Sequence, residues 1–448
     1  MEQKRENWGS RFGFIMATAG FAIGLGAVWR FPYMVGVNGG GAFLLVYIII
    51  SAVIGIPLFI AEMGLGRKTQ LNPIDGMRKL TKKGSIWVAI GWLGVAAATI
   101  IMSYYVMLIG WMLAYFVKMI TGQFTGATAT EISSIYTAFT SNPGQVVVYT
   151  LIMIVILGVI VNKGLKNGIE SCCKYLMPAL LVLLIILAIR SLMLPGAMEG
   201  VKWYLKPNFS KINGKVILAA LGQSFFAIGI GFAGSFVYGS YLDKKNSNLP
   251  GDATIIVVVN TIIAVVAGLV IFPAIFSFGM SPTEGPGLTF ITMPNLFSKM
   301  AGGRIFGGAF FFLVIIAGIT SGIGFLEAIT CTVSEVFKID RKKTVWRVLA
   351  VIFVLSIPCI LSQGPWSNVE IIGKNLFDLA DYISGSVLMP LGALLISLYI
   401  AKEWKFKGYM DECNVGGGKF QIKRWWKPIV ILLIPISVCT IMITGLIQ

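Results

Sequence analysis

The residues in this sequence best placed to do chemistry are glycines. Gly24 and Gly26 sit two apart inside an apolar run, and Gly229 and Gly231 repeat the arrangement further on. Two glycines within three residues weaken a helix. If a helix breaks inside a lipid bilayer, its freed N–H and C=O groups find no partner in lipid. They then attract other ligands: exposed amides favour an anion, and exposed carbonyls favour a cation. Such glycines also serve as close-packing faces between helices. The broken-helix reading is preferred because the two pairs occupy equivalent places. Residues 21–33 read FAIGLGAVWRFPY and residues 226–238 read FAIGIGFAGSFVY, with seven identities at an offset of 205.

The elements that must position these groups are membrane helices. The chain has 448 residues, 56% hydrophobic and 12% charged, about half the charge of a soluble domain. Apolar runs long enough to span a bilayer number eleven, at about 11–36, 41–66, 88–120, 145–162, 170–193, 214–241, 252–278, 304–337, 345–363, 371–401 and 427–447. With the N-terminus inside, 26 Lys and Arg fall on inner segments and 10 elsewhere, which argues for a cytoplasmic N-terminus. Gln448 then lies outside. The glycine-rich runs are five spans apart and cross in opposite directions. This predicts an all-α polytopic membrane protein, a 5+5 inverted repeat with broken first and sixth helices plus one extra C-terminal helix. Its parts are a cytoplasmic segment 1–10, a first repeat 11–193, an outer loop 194–213, a second repeat 214–401, a cytoplasmic loop 402–426 and an eleventh helix 427–448. The outer segment 279–303 reads equally as short helices dipping into a vestibule or as a plain connection.

Several functions are disfavoured. The net charge of +17 is scattered between apolar runs, so no nucleic-acid partner is expected. There is no histidine and no readable nucleophile–base pair, so no enzyme is expected. The six cysteines have no metal-ligand spacing. A channel needs rings of polar groups along a pore, and the polar residues here are isolated.

With these segments laid out, the sequence resembles the neurotransmitter:sodium symporter family, and its eleven-span bacterial members in particular. The likeness rests on Trp8 with SRFGFIMATAGFAIGLGAVWRFPYMVGVNGGGAF (10–43), GIPLFIAEMGLGR (55–67), SYYV (103–106), GQSFFAIGIGFAGSFVYGSY (222–241), IAGITSGI (316–323) and FDLAD (377–381). The resemblance implies sodium-driven uptake by alternating access across the cell (inner) membrane, with substrate between the first, third, sixth and eighth spans. It implies a sodium site from the carbonyls of Gly20, Ile23 and Ala317 and the hydroxyls of Thr320 and Ser321, a sensible oxygen set for a hard cation. Tyr105 matches a tyrosine that holds a substrate carboxylate, beside the amides near Leu25 and Gly26. Phe226 and Phe232 match aromatic walls. Arg30 with Asp381 matches an outer gate, and Arg5 with Glu335 an inner one. Glu62 matches a glutamate that satisfies backbone groups at a helix break. Glu327 has no implied role, and a structural one is favoured.

The sequence departs from the family at its other sodium site. An asparagine and a hydroxyl residue are replaced by Ala27 and Ala227, leaving Asn260, and two methyl groups cannot replace two oxygens. One sodium is therefore expected. Chloride is doubtful, since Tyr47, Gln223 and Asn260 remain of that site but Ala227 and Ala264 replace its hydroxyls.

The expected substrate pocket is apolar: Phe21, Ala22, Ile101, Phe226, Phe232 and Phe325, with Gly229 and Gly322 leaving room. It favours a hydrophobic or aromatic amino acid. Gly24 stands where monoamine carriers have an aspartate, which also argues for an amino acid. The weakened carboxylate site argues for an organic amine, and both readings stay open. A non-transporting sensor is a further alternative. Beyond the small solute and membrane lipid no partner is called for, and a monomer is among the states allowed.

Overall fold

The computed structural model describes residues 5–244, 247–282 and 288–447. Among them, nine helical stretches are long and apolar enough to cross a membrane: Arg11–Val37, Gly41–Thr69, Ile86–Ile120, Pro143–Asn162, Leu165–Leu192, Leu249–Ser277, Gly303–Val336, Arg341–Leu361 and Leu376–Cys413. They correspond to nine of the eleven expected runs. The sixth run is split into Gly214–Ile228 and Gly234–Ser240. The last forms Ile429–Leu433 and Ile434–Ile447. The spans are numbered one to eleven in this order below. Lys4 and Lys245, two of the inner basic residues, lie outside the described residues.

Polar residues set many of the helix starts. Ser10 accepts from the Gly13 N–H, Asn142 from Gln145 and Asp340 from Lys343, each satisfying an amide that the first helical turn leaves free. The buried centre is the eighth span, Gly303–Val336, which packs along the third and against the first. Gly318 lets it approach closely, since a Cβ there would stand 3.0 Å from Ile109. Small residues at such crossings let dispersion contacts accumulate where lipid gives no hydrophobic drive.

The connecting segments carry structure of their own. The segment 279–303 contains two short helices, Leu288–Thr292 and Met293–Lys299, with residues 283–287 outside the description. The tenth run begins later than expected. Residues 370–375 form a two-stranded hairpin, Glu370 paired with Asn375 and Ile371 with Lys374. Its turn needs positive φ at Ile372 (56°) and Gly373 (67°), which a helix cannot accommodate. A short helix, Ala129–Thr140, lies between the third and fourth spans, with Thr128 and Glu131 as its capping box.

Candidate functional site

The helix is interrupted at each glycine pair, in the first by Gly24 while Gly26 stays helical. In the first span Gly24 has φ −28° and ψ −153°, far from helical, and kinks the stretch Arg11–Leu25 just before Gly26–Arg30 continues it. In the sixth, the helix ends on Gly229 in the left-handed region (φ 77°) and restarts at Gly234 after Ala233, also left-handed (φ 62°). Gly231 between them has φ 81°. Left-handed backbone is cheap for glycine and costly for residues with a Cβ, so this interruption is written into the residue types.

Glu62 of the second span reaches the second break. Its Oε2 accepts the Gly231 N–H at 2.9 Å, and the side chain is 2% exposed. This is the structural role expected of it. A carboxylate replaces the hydrogen bond that the broken helix no longer makes.

The first break sits between the third and eighth spans. A Cβ on Gly24 would collide with the Ser321 hydroxyl and stand 3.1 Å from the Tyr105 hydroxyl. Ser321 Oγ donates to the carbonyls of Gly20 (3.0 Å) and Phe21 (2.7 Å). Thr320 Oγ1 donates to Ile316 (3.1 Å) and Ala317 (3.1 Å). Four of the five oxygens in the expected cation site are thus tied pairwise, Ser321 to Gly20 and Thr320 to Ala317. Ile23 is fully buried one residue from the break. A hydroxyl that now donates to a carbonyl turns its lone pairs to a cation by rotating one torsion, so the donor set fits a sodium ion.

Tyr105 has an unsettled polar group at the first break. Its hydroxyl looks onto Ser321 and the Leu25 amide, yet it is buried without a hydrogen-bond partner. Buried hydroxyls are rarely left so, and this one is aimed at the break where the amides of Leu25 and Gly26 lie. Around it the rings form a chain: Tyr105 to Phe325 at 5.6 Å, Phe325 to Phe21 at 5.2 Å, Phe325 to Phe232 at 5.6 Å and Phe232 to Phe226 at 6.1 Å. Ala22, Ile101 and Ala227 are buried.

Two details correct the sequence reading. Gly322 does not leave room in this pocket. A Cβ there would meet Leu157 and Ile109 at 3.1 and 3.5 Å, so it faces the interface with the third and fourth spans. The space beside Gly229 is taken by Phe21, 2.8 Å from a Cβ there, and Gly234 and Gly324 close on the same ring. Three glycines make a slot that holds one wall of the pocket. Sequence reasoning missed Gly234 and Gly324 because a glycine has no side chain to show which face it occupies.

The two ends differ. On the face that carries the N-terminus, Arg5 pairs with Glu335 at 3.1 Å and donates to the Gln70 carbonyl and the Ser240 hydroxyl. Its guanidinium lies 4.9 Å from the Tyr241 ring centre. Trp8 donates to the Tyr238 carbonyl, Arg11 pairs with Asp252 at 2.6 Å, and Glu170 accepts from Gly9 and Ser10. The start of the first span is moored on all sides. At the other end no ion pair joins Arg30 and Asp381 among the described residues. Arg30 lies 4.4 Å over the half-buried Phe226 ring and reaches Tyr33 at 3.3 Å. Asp381 accepts from the Tyr104 hydroxyl at 2.9 Å.

Glu327 is fully buried in a two-pronged pair with Arg341 (2.6 and 2.9 Å) and accepts from the Tyr241 hydroxyl at 2.6 Å. A buried carboxylate with three charge-assisted or hydroxyl donors is a structural group. Its partner is on the next helix and no short spacing announces it.

The residues at the expected second cation site are also placed. Ala27 and Ala227 are fully buried. Asn260 Nδ2 reaches the Tyr47 hydroxyl at 3.5 Å, and Gln223 Nε2 donates to the Gly26 carbonyl at 2.7 Å.

The helical bundle thus brings two interrupted spans together beside buried hydroxyls and the carbonyls they bond. A sequence model described as the sodium:neurotransmitter symporter family matches residues 5–138 and 128–448, and the chain belongs to that family. It is 40% identical over 441 residues to a sodium-dependent transporter of Bacillus subtilis, covering 97% of each chain. It is 40% identical over 451 residues to one of Haemophilus influenzae, covering 97% and 98%. The crystal structure of MhsT in complex with L-phenylalanine superposes with a TM-score of 0.90 at 39% identity, covering 99% of this chain and 100% of that one. The protein is therefore a multi-pass membrane protein of a sodium-dependent symporter family.

Proposed function

We propose that this protein imports a hydrophobic or aromatic amino acid together with one sodium ion. The observation that carries the reading is the Tyr105 hydroxyl, buried and unpartnered beside the Gly24 break, at the end of a row of aromatic rings. A carboxylate placed there accepts from that hydroxyl and from the break amides, and its apolar side chain lies against Phe21, Phe232 and Phe325. The complex of MhsT with L-phenylalanine supports the same class of solute. An amine is disfavoured because the place at Gly24 holds no acid and no room for one: Ser321 occupies it.

Sodium binds in this reading to Gly20, Ile23, Ala317, Thr320 and Ser321, with Ala27 and Ala227 removing a second site. A tenfold sodium gradient supplies about 1.4 kcal/mol and a 100 mV potential about 2.3 kcal/mol per charge. One ion thus supports an accumulation of several hundredfold. Transport proceeds by exchanging the closure at Arg5–Glu335 for one at Arg30–Asp381, the two halves of an inverted repeat rocking about the site in the inner membrane, with the N-terminus cytoplasmic.

Uptake into proteoliposomes tests this. Phenylalanine, tryptophan and leucine should accumulate only with an inward sodium gradient, and phenethylamine and tryptamine should not compete. Accumulation of the amines would reverse the assignment. Flux that merely follows the voltage would indicate a channel, and ligand binding without flux would indicate a sensor.

A further inference from the structure

A second site lies away from the transport path. A groove of about 510 Å³ opens on the outside of the bundle between the third, fifth and eighth spans, lined by Phe116, Ile120, Leu183, Ala309 and Phe312. Arg304 is the one charged side chain in its lining among the described residues. The arginine stands at the end of the groove where the third span finishes and the eighth begins. Its Nε donates to the Ile120 carbonyl at 2.6 Å, the last residue of the third span, which fixes the guanidinium at that edge. Arg190, from the end of the fifth span, is not part of this lining and borders a separate small cavity beside Phe306. It donates to the Ala301 carbonyl at 3.3 Å and lies 5.2 Å over the Phe306 ring.

We propose that this groove binds an anionic phospholipid, its phosphate held by Arg304 and an acyl chain lying along the apolar floor. Three observations select this occupant. The groove is on a membrane-spanning surface, so hydrocarbon is the solvent that fills it. The one charge at its mouth is cationic. It is an arginine, whose planar fork matches phosphate oxygens and whose anchoring through Nε leaves further N–H groups free. A neutral lipid fills the floor equally well and gains little at the mouth, so the predicted preference is for the headgroup charge.

The protein would be reconstituted into vesicles of equal phosphatidylglycerol and phosphatidylcholine, re-extracted, and its retained lipid measured by native mass spectrometry. Phosphatidylglycerol should be retained in preference. Arg304→Gln should lower that retention roughly fivefold, the factor one interfacial arginine contributes, and Arg304→Lys should keep most of it. Because Arg304→Gln also removes the hydrogen bond to Ile120, Ala309→Phe serves as a second variant: it fills the floor, keeps Arg304 and should lower retention of either lipid. Equal retention of the two lipids, retention of neither, or retention unchanged in both Arg304→Gln and Ala309→Phe would each overturn the proposal.

Discussion

Ser321 donates its hydroxyl to the carbonyl of Phe21 at 2.7 Å, so the eighth span is bonded to the main chain of the first just before the Gly24 break. The same residue touches the proposed ion ligands on one side and the Tyr105 hydroxyl on the other. In the proposed reading ion and solute therefore share a wall, which is the simplest physical basis for coupling: each ligand would order groups the other needs.

The ion ligands give the first prediction. Thr320→Ala and Ser321→Ala each remove one oxygen from a hard-cation site. A hydrogen bond or ligand to a charged group is worth about 1.5–3 kcal/mol, so the sodium concentration for half-maximal substrate binding should rise by roughly 10- to 100-fold. Scintillation proximity binding across a sodium titration measures it. An unshifted midpoint in both variants would remove this site from the account.

Tyr105→Phe deletes the hydroxyl and keeps the ring packed on Phe325. Affinity for an amino acid should fall by roughly 10- to 100-fold by the same reasoning, while sodium affinity in the absence of substrate changes little. If phenylalanine binds the variant as well as the parent, the hydroxyl does not hold the carboxylate.

The alanine pair predicts a stoichiometry. Counter-titration of sodium-22 against purified protein should give one ion per chain and a Hill coefficient near one. Restoring oxygens with Ala27→Asn and Ala227→Ser together should add a second binding phase. Two ions bound by the unmodified protein would show that Asn260 and its neighbours suffice without them.

Glu62→Leu should destabilise the fold by about 1–3 kcal/mol, the cost of leaving the Gly231 amide buried without an acceptor. Glu62→Gln keeps an oxygen at the same place and should lose less. Thermal unfolding in detergent ranks the two. Equal melting of Glu62→Leu and the parent would mean that the break has another source of support.

At the N-terminal face, Arg5→Ala removes the partner of Glu335 and the cation over Tyr241. The mooring of the first span should loosen and populate the form open to that face. Labelling of a cysteine introduced at Tyr238 by a membrane-impermeant thiol reagent should speed up severalfold, with slower net uptake. A labelling rate that does not move would place the closure elsewhere.

Much of this architecture was legible because a bilayer leaves few options. Span positions follow from runs of apolar residues, and the two breaks follow from glycines at an offset of 205. The proposed ion ligands come from family motifs, and in the folded chain Gly20 lies against Thr320 and accepts from Ser321. What stayed hidden depends on direction rather than identity. Gly322 and Gly324 are two residues apart on one helix, yet one faces Leu157 and the other Phe21. Glu327 and Arg341 lie on different helices. Arg67, fully buried and bonded to Glu412 at 3.5 Å, joins positions 345 residues apart, so no local pattern discloses it. The helix at Ala129–Thr140 was within reach, since Thr128 and Glu131 have the spacing of a capping box.

The carboxylate of Glu62 has a consequence for the unloaded protein. A gap in the sixth span that depended on cargo to quench its amides would seal itself once the cargo left. Here a neighbouring helix supplies the quenching from within the protein, so the gap does not need cargo for it. The return stroke can then proceed without rebuilding the binding place on each cycle.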